Sequence, residues 1–478
     1  MGFPSIPRPA LLAAIFLLNF IEFFQTGMLV FAAGPIQGHI GAAPEEYAAI
    51  SALYASVAVL SISQLTVLVQ RLGWRNYLLS ALLCFVLGAW LCAGSSSVPV
   101  FALGRVLMAM GGGVFMTFSR MLVNLIPPSP QRMQGIAAFG GALSLGITLG
   151  PGAAALMVGH QAWGGMFLAL ALAAIGAAAL AARWLPLDAV TLDGRPSRLY
   201  VLDAVLLGAG AGLTMYAAQR LSYDWHGERL HVLALLAAGL VLLLAFGLSH
   251  ARREQPFLQL AVLKSGRYRA ALAIFSLCYV VLGLVNAGLP QLVQRALGVG
   301  FEQAGQLQTV GMSFTIPAFI VLLLMMKRRP HATKFYVTGF LMLALLGWYF
   351  SHLDPRAHAW DSITFRIGLF GGFLVLGMAT TAVHGFKDFM ADNVVFSQAQ
   401  QLKNMMGQPA LALGVGATGV LLQERSALHG ARLAEATLDA GAPLAQQTAL
   451  LAGMDAFWIL MWVGLAGAAL LLRQRSFD

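Results

Sequence analysis

Apolar residues along this chain come in long unbroken blocks, not in alternation. Fourteen such blocks lie near 9–33, 47–70, 76–96, 99–122, 133–158, 164–182, 200–219, 230–249, 268–290, 303–326, 333–352, 362–384, 404–422 and 456–473. About 20 apolar residues, rising 1.5 Å each, cross the ~30 Å hydrocarbon core of a bilayer. A membrane barrel would instead alternate apolar and polar positions in segments of about ten. The pattern therefore predicts an all-α membrane protein with 14 transmembrane helices. Most joining segments are short, so consecutive helices should be antiparallel neighbours. The longest polar insert, 423–455, is expected to form a short amphipathic helix.

Composition sharpens this reading. Of 478 residues, 59% are hydrophobic and 10% are charged. A soluble domain carries about 25% charged residues, so this chain cannot cover a wet surface. Cys84, Cys92 and Cys278 all fall inside apolar blocks. They read as small packing residues, not as a disulfide or a metal site. No cleavable signal is evident: after Arg8 the apolar block is too long for a signal core, and no small-residue cleavage site closes it.

Charge sets the expected orientation. With the N-terminus inside, only Arg220, Arg229, Arg295, Arg356, Arg425 and Arg432 fall in outside loops. Arg105, Arg120 and Arg366 fall within spans, and the other 20 of the 29 Lys and Arg residues fall inside, Lys403 among them. Positive charge is retained on the cytoplasmic side, which puts both termini in the cytoplasm of a plasma (inner) membrane protein. The net charge of +10 is then anchoring against anionic lipid and calls for no nucleic acid.

The second half echoes the first. Pro35 ends span 1 and Pro290 ends span 9; Arg71 and Lys327 follow spans 2 and 10; Arg105 and Arg366 open spans 4 and 12, each followed by a glycine pair. The offsets are 255, 256 and 261 residues. This predicts an N-terminal six-helix bundle over 1–185, two linking transmembrane helices with cytoplasmic loops over 186–265, and a C-terminal six-helix bundle over 266–478. Two such halves around a midplane site are the plan of many secondary transporters.

Three stretches carry a family likeness. Loop 2–3 reads TVLVQRLGWR, with Arg71, Gly73 and Arg75. Span 4 reads RVLMAMGGG, with Arg105 and Gly111. Span 5 reads GITLGPGAAA, with Gly146, Gly150 and Pro151. Together they resemble the motifs of the major facilitator superfamily, and most of all its fourteen-span drug/proton antiporter branch, the EmrB and QacA type. Gln70 stands where the loop motif has an acid. The aspartate usual in span 1 of the branch falls near Gln25 or Thr26, and Glu22 lies one turn earlier. Gly407 and Gln408 stand where span 13 of the branch has an arginine. The resemblance implies a major-facilitator fold and a secondary exporter of small hydrophobic or amphipathic compounds, driven by the proton gradient without a cofactor. It also implies a periplasmic adaptor and an outer-membrane channel as partners. An uncoupled facilitator, or an exporter of one metabolite such as a siderophore or fatty acid, is the alternative.

The polar residues within spans supply the candidate chemistry. Asn19, Glu22 and Gln25 recur every three residues and share roughly one side of the first helix. Lipid rejects such a stripe: an ionised acid at mid-bilayer costs about 2.5–3.5 kcal/mol even on insertion scales. A carboxyl that is neutral in one state and charged in another can couple proton flow to a conformational change, so Glu22 is the expected proton-coupling residue. Arg105 should pair with a carboxylate or with helix carbonyls, or reach the outer surface; Arg120 and Arg366 should reach nearby surfaces. The glycines of spans 4 and 5 allow close helix approach, and Pro151 can kink its helix. Arg71, Gly73, Arg75, Arg105, Gly111, Gly146, Gly150, Pro151 and Arg366 form the gating and motif set. Asn19, Gln25, Met108, Phe115, Tyr279, Asn286 and Gln408 form the expected substrate cavity. No HExxH, no GxSxG with partners and no nucleotide-binding loop occurs, so an enzyme is not expected.

Overall fold

The computed structural model describes residues 8–127, 131–187, 192, 197–223, 227, 229–328, 331–354, 359–436, 444–474 and 477. Among them are 14 helices long and apolar enough to cross a membrane: α1 (Arg8–Phe31), α2 (Pro44–Ser63), α3 (Trp74–Ala93), α4 (Val98–Leu125), α5 (Arg132–Gly159), α6 (Gly165–Trp184), α7 (Val201–Arg220), α8 (Arg229–His250), α9 (Gly266–Ala296), α10 (Phe301–Met326), α11 (Ala332–Ser351), α12 (Trp360–Phe389), α13 (Asn393–Ala434) and α14 (Leu444–Arg473). The outward faces are apolar, with Leu172, Val201, Leu244 and Leu470 largely exposed. An apolar surface this extensive belongs in lipid.

Local chemistry sets the ends. Pro44 opens α2 at a position where a missing N–H costs nothing, and Glu46 folds back to accept the Ala43 N–H at 2.8 Å. Ser265 caps α9 by accepting the Tyr268 N–H at 3.2 Å. Gly73 turns the chain from the short helix Leu65–Leu72 into α3 at φ +79°, a conformation glycine alone adopts without strain. In α9 the helix passes Pro290 and ends in a π turn at Leu292–Ala296.

Helix pairing repeats along the chain. α1 packs on α5, α3 on α4 and α6; eight helices later α9 packs on α13, and α11 on α12 and α14. The α7–α8 pair lies against α2 and α13, with Ser56 Oγ donating to the Gly208 carbonyl at 2.6 Å. Without a hydrophobic drive between helices in lipid, small residues provide the contact. At the α1–α5 crossing, a methyl group on Gly146 would lie 2.8 Å from the Phe24 backbone nitrogen, and one on Gly150 2.8 Å from that of Met28.

Among the described residues, the 423–455 insert does not form a separate helix. It extends both neighbours instead. α13 has 42 residues, about 63 Å at 1.5 Å each, roughly twice the hydrocarbon core. Its far end pairs with the start of α14 through His429 and Arg425, whose nitrogens lie 2.9 and 3.5 Å from Asp455 Oδ2. Continuing two existing helices leaves no new helix ends to satisfy.

Candidate functional site

A cavity of about 440 Å³ lies between α1, α2 and α4 on one side and α9 and α13 on the other, bordered by the ends of α7 and α10. Its rim carries exposed Gly34, Tyr223, Gln291 and Arg295, at the end of the molecule where α1 terminates and α4 begins. This end is the mouth.

The opposite end is shut by bonds between helices from the two halves of the chain. Asn404 Nδ2 donates to Thr117 Oγ1 at 2.8 Å, Gln401 Nε2 to Thr66 Oγ1 at 2.8 Å, and Arg120 Nη2 to the Ala382 carbonyl at 2.6 Å. Between the two ends, Thr148 Oγ1 donates to the Met312 carbonyl at 2.9 Å.

Glu22 lies on the cavity wall, half-buried, with about half of α1 on either side of it. One turn on, Gln25 donates to Tyr54 Oη at 2.5 Å. The Arg105 guanidinium sits 3.8 Å from the centroid of the same tyrosine ring, a cation–π contact. An acid from α1 and a guanidinium from α4 thus face one chamber, with Tyr54 of α2 holding the second in place. Tyr279, Asn286 and Gln408 line the facing wall. Among the described residues Arg105 therefore neither reaches the outer surface nor forms an ion pair; it donates to Met108 Sδ at 3.9 Å.

Three residues expected in the cavity lie elsewhere. Asn19 is fully buried and donates to the Phe139 carbonyl at 2.6 Å. A three-residue step on a 3.6-residue helix drifts by about 60°, so Asn19 and Gln25 point roughly 120° apart. Asn19 faces α5 while Gln25 faces α2. Met108 and Phe115 are fully buried within the first half, Phe115 against Phe85 with ring centroids 5.2 Å apart. Their apolar bulk fills helix seams.

The motif residues hold the frame. Arg75 donates to the Ala182 carbonyl at the end of α6. Arg71 is exposed beside Gly73. Gln70 reaches the segment before α7, donating to the Leu192 carbonyl at 3.2 Å and accepting the Ser197 N–H at 3.0 Å. Gly111 brings α4 against α3 at Phe85 and Ala81, and Gly146, Gly150 and Pro151 face α1. Arg366 is half-buried outside the cavity, 5.1 Å from the Tyr349 ring centroid.

Two expectations about cations need correction. Arg120 is 4% exposed and spans the closed seam instead of reaching the surface. Lys403 is not in a loop, because α13 begins at Asn393; it is 4% exposed inside the bundle. The polar run SQAQQLKNMMGQ, 397–408, depressed the apolar signal and hid the first turns of α13. Tyr54 was missed because a lone tyrosine in an apolar span carries no signal of its partners.

Fourteen membrane-crossing helices around a chamber that holds an acid and a guanidinium, open at one end and shut at the other, define a membrane transporter. The family model of the Major Facilitator Superfamily matches residues 15–396. The chain belongs to that superfamily. It is 26% identical over 379 residues to a putative multidrug resistance protein, MdtD, of Pectobacterium atrosepticum, covering 77% of this chain and 78% of that relative. It is 24% identical over 383 residues to an uncharacterized MFS-type transporter, YhcA, of Bacillus subtilis, covering 77% and 68%. Among solved structures, the proton:xylose symporter XylE superposes with a TM-score of 0.62 at 13% identity, over 98% of this chain and 95% of that one. The human organic anion transporter MFSD10 superposes with a TM-score of 0.58 at 17% identity, over 97% and 99%. At these identities the two structures speak to fold alone.

Proposed function

We propose that this protein is a proton-coupled antiporter that exports small hydrophobic or amphipathic compounds by alternating access. The observation that carries the reading is Glu22 on the wall of a chamber open at one end only. The likeness to a putative multidrug resistance protein supports the substrate class. The positive-inside charge pattern supports placing both termini in the cytoplasm of the inner membrane. The mouth then faces outward, and the shut end faces the cytoplasm.

The cycle follows from the cost of burying charge. In the outward-open chamber, water reaches Glu22 and the acid can take a proton. Closing the mouth removes that water, and an ionised acid in a dry mid-membrane site costs several kcal/mol. Closure therefore favours neutral Glu22. When the other end opens, water returns and the proton leaves to the cytoplasm as substrate enters. Arg105 keeps its charge throughout and stays beside Tyr54, so the chamber alternates between compensated and net positive. A periplasmic adaptor and an outer-membrane channel would receive substrate at the mouth, the end of the molecule to which α13 and α14 extend.

The test is Glu22→Gln in proteoliposomes with an imposed pH gradient, using amphipathic fluorescent dyes with anionic, neutral and cationic heads. The parent should move at least one dye faster when the gradient is imposed. The variant should lose that acceleration while still exchanging dye down its own gradient. A variant that keeps the parent's full gradient dependence removes Glu22 from coupling.

A further inference from the structure

The shut end holds two cations that the cycle above does not use. Arg120 on α4 and Lys403 on α13 come from opposite halves of the chain, and each is 4% exposed. The Arg120 guanidinium lies 5.9 and 5.8 Å from the Phe139 and Phe396 ring centroids. It gives one hydrogen bond to the Ala382 carbonyl, and its Nε has no acceptor. Lys403 Nζ lies 4.4 Å from the Phe275 centroid and 5.9 Å from that of Phe386, and its hydrogen-bond contact is to the Met116 sulfur at 3.6 Å. Phe386 and Phe396 touch each other, with centroids 5.8 Å apart, so one aromatic group separates the two charges. Among the described residues, no carboxylate lies within ion-pair distance of either cation.

Several unmet polar atoms lie on the helices of the same seam. Ser144 Oγ, Thr380 Oγ1, Gln401 Oε1 and Asn404 Oδ1 are buried without partners. Arg120 and Ser144 also border a void of about 20 Å³. Buried polar groups and charges left unmet are costly, and native structures hold few of them. Several of them here lie where alternating access must part the two halves. Rings and a thioether serve as stand-ins for an anion while the seam is closed.

We propose that the closed seam is a latent, cytoplasm-facing binding site for the anionic head of an amphipathic organic anion, with Arg120 and Lys403 as its two charges. Asn404 and Gln401 exchange their bonds to Thr117 and Thr66 for bonds to the head group as the seam opens, and the surrounding phenylalanines take the apolar part. The assignment deepens the exporter reading and rests on its alternating access. It selects, from the hydrophobic and amphipathic compounds, those with a negative head.

The test uses the full chain in phosphatidylcholine nanodiscs, whose zwitterionic lipid offers no competing net charge. Octanesulfonate, octyltrimethylammonium and octanol share one tail and differ in head charge, and the sulfonate stays ionised across the working pH range. Isothermal calorimetry, with empty nanodiscs subtracted, should give saturable octanesulfonate binding at least tenfold tighter than for the other two. Lys403→Met should weaken it about thirtyfold or more, as for loss of one partner of a buried charge pair, and Lys403→Arg should keep most of it. Equal affinity for the three heads overturns the site, and that comparison needs the parent chain alone. Unchanged octanesulfonate binding in a folded Lys403→Met variant overturns it as well. Should Glu22→Gln leave gradient coupling intact while the sulfonate preference holds, the coupling scheme falls and the anion site stands. Should coupling depend on Glu22 while all heads bind alike, the anion site falls alone.

Discussion

Replacing Gly150 with alanine puts one methyl group into the crossing of α5 and α1. The added Cβ would lie 2.8 Å from the Met28 nitrogen, 3.0 Å from the Gly27 carbonyl carbon and 3.0 Å from the Phe24 carbonyl oxygen. Gly146→Ala would place its Cβ 2.8 Å from the Phe24 nitrogen, 2.9 Å from Phe23 Cβ and 3.1 Å from the Phe20 carbonyl oxygen. Carbon atoms pack best at about 3.5–4.0 Å, so either change asks the helices to part by roughly 0.5–1 Å. The opposing atoms are almost all backbone and cannot rotate aside. Overpacking of this sort costs about 1–3 kcal/mol. Gly141 on the same helix is the control, because a methyl group there meets nothing within 4 Å. Gly141→Ala should be neutral, or gain up to about 1 kcal/mol of helix propensity. The assay is the fraction of purified protein that stays monodisperse in detergent after graded heating. Gly146→Ala and Gly150→Ala should fail at lower temperature than the parent, and Gly141→Ala should not. Both destabilised variants should also transport less, because the displaced stretch of α1 carries Glu22. If the three variants lose stability together, the cost comes from glycine replacement in α5 generally and not from close approach to α1.

Two further outcomes follow from the packing. Asp203 at the start of α7 is fully buried and accepts from Ser249 at 2.8 Å, lies 2.9 Å from His250 Nδ1, and accepts from Arg253 at 3.0 and 3.1 Å. Asp203→Asn should cost about 1–3 kcal/mol, the price of mismatched bonding at a buried group; heating in detergent should lower its midpoint, and an unchanged midpoint would mean that the α7–α8 pair is held by apolar contact alone. Thr66 and Gln401 meet across the shut end. With Cys84, Cys92 and Cys278 replaced by serine or alanine, cysteines at these two positions joined by a short thiol cross-linker should stop dye export, and cleaving a reducible linker should restore it; export that continues through the intact cross-link would show that this end need not open.

Much of the fold was legible because each span reports its own environment. A block such as 164–182 is long enough and apolar enough to cross a bilayer whatever its neighbours do, and α6 occupies it. The fourteen-span, all-α reading therefore held. The errors fell where polar residues interrupt a span. Lys403 sits among Gln400, Gln401 and Asn404, a run that reads as a loop by composition, yet it is buried at a helix–helix seam where Gln401 and Asn404 bond across the halves. The insert at 423–455 was legible as polar but not as a continuation of α13 and α14, since contacts such as those of Asp455 with Arg425 and His429, which tie the two extensions together, are tertiary.

The sequence alone determined that this chain crosses a membrane many times, that its halves echo each other, and that an acid lies midway along the first helix. Those properties belong to single segments, and the bilayer reads them one segment at a time. Only the tertiary structure decided that Glu22 and Arg105 face one chamber, that Asn19 turns away to α5, and that Arg120 and Lys403 lie on either side of one aromatic group at the shut end. Each of those outcomes depends on how helices are rotated about their own axes, and rotation is set by the partners a helix packs against.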